Sequence, residues 1–290
     1  MIRYVIAGFV STLSFGSASA AQAKETVLEP SSQWNVDFAT DKCRLARNFG
    51  EGDARHLLFF EQYFPGKELG MTLSGAQFDR FGSRRRTNLS FRADQKPLRT
   101  EPFVGKVVGT GTAVIYSAVD LETGQDFSNA DKTEFPQLDT DFASGVEYVK
   151  VQQGGSTVTL KTGDLAEAFE VMNTCTQSLL EDWGLDPQKH LSSRSMPVWK
   201  NERSVTRKIQ STYPSKALRV GEQGIMRMRV MIDEAGTVTD CTIVKATRVD
   251  ALESPACRAM LTAKSEPALD ANGKPFPSYY ATSITYQIGR

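Results

Sequence analysis

The sequence predicts an α+β protein: a mainly β N-terminal domain closed by one helix, then a small C-terminal domain of order α-β-β-α-β. Three observations carry this. Period-two alternation bounded by turn residues recurs through the first half, and a run of apolar residues at helical spacing ends it. The last stretch then places a glycine-closed hairpin between two helical segments and finishes on an alternating strand.

In chain order, Arg3 is followed by an uncharged run over residues 4–23, apolar at first and then small and polar, which is the shape of a secretory signal peptide. Ala18-Ser19-Ala20 and Ala21-Gln22-Ala23 both offer small-x-small cleavage sites, so residues 1–23 are expected to be removed and the mature chain to begin near Lys24 in the periplasm. The alternative is a retained inner-membrane anchor, since a bilayer needs roughly 20 apolar residues. Ser11, Thr12, Ser14, Gly16 and Ser17 dilute this run and favour export.

Residues 24–185 form the expected β domain. Residues 56–63 and 68–73 flank Pro65-Gly66 as a hairpin, 107–119 reads as a strand, and 148–151 and 158–160 flank Gly154-Gly155 as a second hairpin. Leu165, Phe169, Met172, Leu179 and Trp183 recur at helical spacing, with Thr162 or Asp164 as cap and Gly184 as stop. Residues 186–204 are polar, with Pro187, Pro197 and Ser192-Ser193, and read as a linker.

In residues 205–290 a short helix follows Tyr213-Pro214 and ends at Gly221. Met226, Met228, Val230 and Ile232 then alternate with Arg227, Arg229 and Met231, giving a half-buried strand with one polar face. A turn over 233–236 leads into a returning strand over 237–245, a helix over 249–263 with Pro255 near its first turn, and a terminal strand over 279–288.

Lys plus Arg and Asp plus Glu are both 34, so no nucleic acid or other polyanion is an expected partner. Arg84, Arg85 and Arg86, the one basic run, read as a solvated loop. Four cysteines in an exported chain read as two disulfides, with three pairings open. Cys43 and Cys175 lie in the first half and Cys241 and Cys257 in the second, so two independently folding domains would each close one bridge. Without a CxxC pair, and with only His56 and His190 to join, neither a metal nor any cofactor is expected. His56 opens the apolar run 57–60 and reads as a packed residue; Asp139 and Asp141 read as solvated acids. With no partners for a Ser-His-Asp arrangement, no catalytic residue is assigned and an enzyme is not expected.

The C-terminal order of elements, together with Tyr213-Pro214, Gly221, Gly224, the Gly236 hairpin and the string Pro267-Ala268, Asp270, Gly273 and Pro275, resembles the TonB C-terminal domain family over residues 205–290. Glu266 departs from it, standing where the family often has an aromatic. Within this architecture a bridge from Cys241 on the second strand to Cys257 on the helix is sensible. The resemblance implies that the last strand is a sheet edge, accepting an extended TonB-box segment of an outer-membrane receptor by strand addition in support of transmembrane transport. The implied partner-binding residues are Ser283, Ile284, Thr285, Tyr286 and Gln287, with Ser283, Thr285 and Gln287 pointing outward, plus Gln210, Tyr213 and Pro214. Family energy transducers also use an inner-membrane helix with a histidine and a long proline-rich spacer; residues 1–23 hold no histidine and 186–204 is short, so force transmission is not implied. The partner expected is a TonB-dependent outer-membrane receptor or another extended peptide. An envelope-maintenance protein that contacts peptidoglycan, or pairs with itself as a homodimer, is the alternative.

Overall fold

Alternation becomes strand through the first half of the chain. In the computed structural model, which describes residues 24–83, 85–122 and 134–288, β1 (Lys24–Leu28), β2 (Asn35–Ala39), β3 (Lys42–Phe49), β4 (His56–Gln62) and β5 (Leu69–Ser74) come first. There follow β6 (Thr87–Ser90), β7 (Leu98–Thr100), β8 (Phe103–Val107), β9 (Gly111–Val119), β10 (Val149–Gln153) and β11 (Ser156–Leu160). The expected signal peptide, residues 1–23, and Arg84 of the basic run lie outside the described residues.

These strands form two sheets, ordered β2-β3-β4-β5-β9-β8 and β1-β11-β10-β6-β7. The hairpins β4–β5 and β10–β11 are antiparallel, as their turn residues predict. Residues 107–119 are not one strand: β8 ends at Val107 and pairs back on β9, because Gly109, at φ 87°, turns the chain between them. Asp139 is not simply a solvated acid. Its side chain accepts the Phe142 N–H and caps α1 (Thr140–Ser144).

α2 (Ala166–Asp182) buries Phe169, Met172, Cys175 and Leu179 against the β2–β8 sheet, where the Phe169 ring meets Phe60 edge to face at 6.3 Å. Asp164 receives the Ala166 N–H at 2.7 Å, whereas the Thr162 hydroxyl is buried without a partner and caps nothing. The Cys43–Cys175 disulfide fastens this helix to β3.

The expected linker is folded. It contains α3 (Pro187–Leu191), β12 (Val198–Trp199) and the start of α4 (Glu202–Gln210). Asp186 caps α3 by accepting the N–H groups of Gln188 and Lys189, and Pro187 occupies the first turn, where no amide hydrogen is required. His190 and Met196 are buried. Elements this short show no hydrophobic period in the sequence, which is why the segment reads as a tether.

After α5 (Ser215–Val220), ended at Gly221, come β13 (Gly224–Ile232), β14 (Val238–Lys245) and α6 (Ala256–Met260). Short strands β15 (Ser265–Glu266), β16 (Ala268–Leu269) and β17 (Pro275–Phe276) precede β18 (Ser278–Tyr286). The helix expected over 249–263 shrinks to α6. Pro255 sits at its N-cap and disfavours helical backbone at Ser254, while the Glu222 carboxylate accepts the N–H groups of Asp250 and Ala251 at 2.7 Å each and holds that stretch as a separate turn. The Cys241–Cys257 disulfide joins β14 to α6 as expected.

The C-terminal sheet, ordered β14-β13-β18, packs Met228, Val230 and Ile232 against Val205 of α4 and Ala256, Ala259 and Met260 of α6. Its opposite face, expected to be merely polar, is covered by the first half of the chain. Arg227 lies 5.3 Å from the Tyr63 ring and Arg229 4.2 Å from the Trp183 ring. Met231 and Tyr279 pack with Leu180, Leu185 and Met196. Arginine reads as polar in a pattern, yet its planar cation stacks on aromatic faces, so the alternation does not report solvent on that side.

Candidate functional site

β18 is hydrogen-bonded to β13 on one side, over the register Gly224↔Tyr286 to Ile232↔Ser278, and among the described residues has no strand on the other. An edge of this kind keeps half its backbone N–H and C=O groups free of the ladder. The hydrophobic alternation of β18 sets which side chains face each side of the sheet. Tyr280 and Ile284 point to the helical face, with Tyr280 centred 4.4 Å from Trp199, and Tyr279 and Ala281 point into the cluster beneath.

Residues 279–283 of this edge form one wall of a groove of about 320 Å³. The turn between β4 and β5, residues 64–68, makes the facing wall, and Met196, Pro197 and Trp199 close one flank. Among the described residues Glu68, Glu134 and Glu202 carry its acidic charge against one ammonium, that of Lys67. Behind it lies a cavity of about 20 Å³ bounded by Glu61, Glu68, Ser117, Arg227 and Ser283.

Arg227 is the buried charge between the two spaces. It is 7% exposed, donates from Nη1 to Ser283 Oγ, and leaves Nε without a partner. Glu61 does not pair with it, being engaged by Lys42 at 2.9 Å and Arg44 at 2.7 Å. Glu68 lines both spaces and has no ion pair among the described residues. Burial, together with the like charge of Asp120, pushes its carboxyl up to about 7, against the pull of Arg227. The Tyr279 hydroxyl is also buried without a partner, and burial drives its pKa upward.

The residues expected to bind a partner divide into three groups. Thr285 and Gln287 are exposed, as expected. Ser283 is not outward: its hydroxyl faces Arg227 and the inner cavity. Ile284 and Tyr286 are packed, the Tyr286 ring lying 5.5 Å from Tyr213 and its hydroxyl 2.7 Å from Ser254 Oγ, so these two offer a partner only their backbone. Tyr213 is likewise structural, donating from its hydroxyl to the Glu222 carbonyl at 2.7 Å, and Pro214 is the N-cap of α5. Gln210 is exposed at the end of α4.

Sequence reasoning missed Glu68, Trp199, Tyr280 and Arg227. Trp199 stands inside the presumed linker and Glu68 inside an ordinary hairpin turn. Only folding brings them together at the edge, so no local pattern marks them. Among the described residues no group of His, Cys, Asp and Glu is placed to hold a metal ion, and no helix is long and apolar enough to cross a membrane.

Residues 209–288 match the family described as Gram-negative bacterial TonB protein C-terminal, the region that contains α5, the three-stranded sheet and α6. The match spans under a third of the 290 residues and assigns nothing to the remainder. No curated protein and no solved structure matches the chain.

Proposed function

With a TonB C-terminal domain at residues 209–288 as premise, we propose that the chain is a non-enzymatic periplasmic binding protein whose β18 edge accepts an extended segment of a TonB-dependent outer-membrane receptor by strand addition, in support of transport. The observation that carries the reading is that β18 has a strand on one side and an open groove on the other. Backbone hydrogen bonds along the edge supply affinity, and the groove walls meet alternate side chains of the incoming strand. The exposed Thr285 and Gln287 leave the far end of the edge unobstructed. Self-pairing of two copies along the same edge is the competing use, and a concentration-dependent dimer that peptide fails to dissolve would favour it.

The test is an NMR titration of a TonB-box peptide into the protein, with a scrambled peptide as control. Shifts confined to the amides of 279–287 are expected; no shift at millimolar peptide would remove this reading.

A further inference from the structure

The groove carries a charge that strand addition alone does not require. Among the described residues three carboxylates, on Glu68, Glu134 and Glu202, stand with one ammonium, on Lys67. Between them the surface is apolar and aromatic, made by Phe64, Pro65, Met196, Trp199 and Tyr280. Glu68 comes from the first half of the chain, Glu202 from α4, and the edge itself from β18, so the acidic groove exists only where these parts meet.

Resting on the docking role of β18, we infer that the groove selects an extended segment bearing a cationic side chain between apolar ones. The segment's backbone pairs with β18, its apolar side chains cover Trp199 and Tyr280, and its ammonium or guanidinium sits among Glu68, Glu134 and Glu202. Two physical arguments favour this occupant over a neutral or acidic one. Glu68 is desolvated without an ion pair among the described residues, so an arriving cation gains more from it than from a hydrated surface carboxylate, because attraction strengthens as the local dielectric falls. A carboxylate carried into the same place meets like charge and is disfavoured, and such repulsion adds specificity at an edge whose backbone bonds are blind to sequence. Arg227 is buried behind Ser283, with its guanidinium against the Tyr63 ring and the Ser283 hydroxyl.

The experiment uses the whole chain and three end-blocked peptides, Val-Thr-Val-Lys-Val-Thr and its counterparts with glutamate or norleucine in place of lysine. Calorimetric affinities and the amide shifts of β18 are recorded together. The lysine peptide is expected to bind at least about tenfold tighter than the glutamate peptide, as for one charge-assisted contact made or repelled. Glu68→Gln is expected to shrink that ratio severalfold. A second reading needs no variant: at pH 7 the lysine peptide should release protons, seen as a difference in heat between phosphate and Tris buffers, because a cation beside Glu68 drives its carboxyl to ionise. The norleucine peptide should not. Equal affinities with normal β18 shifts would overturn the charge selection and leave strand docking standing. Absence of β18 shifts with every peptide would overturn both.

Discussion

Burial and the charge of Asp120 raise the Glu68 carboxyl to about 7, so the folded protein holds this proton over a range where the unfolded chain has released it. Between the ordinary value of 4.5 and about 7 the folded state binds more protons than the unfolded one, and stability therefore falls as pH rises through that window and levels above it. The shift sets an upper limit of roughly 3 kcal/mol. Glu68→Gln is accordingly expected to raise stability at pH 8 and change it little at pH 4, checked by urea unfolding at the two values; equal effects at both would contradict the assignment. His190 acts in the opposite sense. Its Nδ1 donates to the Asp186 carbonyl at 2.7 Å, so Nε2 accepts from Ser278 Oγ at 3.0 Å, and burial among Phe135, Phe276 and Tyr279 holds its pKa below 6.5. The unfolded chain then takes up a proton that the folded chain refuses, and stability is lost as pH falls below about 6.5. His56 is built alike, donating to the Ala54 carbonyl and accepting the Gln77 N–H, and its pKa too is lowered by burial. His190→Phe should flatten part of the acid limb of the stability curve, with His56 sustaining the rest. That His56 is a packed residue was legible, because an apolar run surrounds it; Glu68 was not, because nothing in Lys67-Glu68-Leu69 says that a second part of the chain will cover it.

At the scale of elements, the hairpin β13–β14 depends on Gly236. Its φ is 79°, and a Cβ there would stand 2.2 Å from the Ser265 carbonyl oxygen. Gly236→Ala must therefore strain the backbone and displace β15, at an expected cost of about 2 kcal/mol or more, read as a lower midpoint in thermal unfolding. A midpoint within a degree of wild type would show that the turn relaxes freely. This hairpin was readable because its signal is local: alternation, Asp233 and a glycine within a few residues. The same holds for β4–β5, β10–β11, α2 and the edge strand β18. Elements fixed by distant partners were not readable. α3 and α4 exist because His190 and Val205 find buried sites, and the helix at 249–263 was overdrawn because Leu252 and Met260 share a helical spacing yet join different clusters, the first with Met226 and Tyr286, the second with Met228 and Val230. Half of the candidate site was legible for this reason. The alternation of β18 announces a strand and the family resemblance makes that strand an edge, whereas its facing wall comes from a turn more than 200 residues earlier in the 290-residue chain.

At the scale of the whole molecule, the question is whether the two disulfide-closed halves stand independently. Each bridge lies within its own half: Cys43–Cys175 closes a span of 132 residues and Cys241–Cys257 one of 16, worth about 5 and 3 kcal/mol on the chain-entropy account. Neither ties the halves together. That task falls to packing at the end of α2, where the Trp183 ring lies 4.2 Å from the Arg229 guanidinium and 5.3 Å from Tyr279, within the cluster of Leu180, Leu185 and Met196. Burial also lowers the Arg229 pKa, the mark of a cation kept from water, so its aromatic partner matters more than it would at a surface. Trp183→Ala would open a void beside β13 and leave that charge without its ring, a loss of about 3 kcal/mol or more. In the native protein the amides of β4 and β18 are expected to exchange with the same free energy of opening, because the shared cluster makes them one cooperative unit. In the Trp183→Ala variant β18 should open at lower free energy while β4, held by its own sheet and by Cys43–Cys175, keeps its protection. Equal losses at the two strands would mean that contacts other than Trp183, Arg227 on the Tyr63 ring among them, hold the halves together.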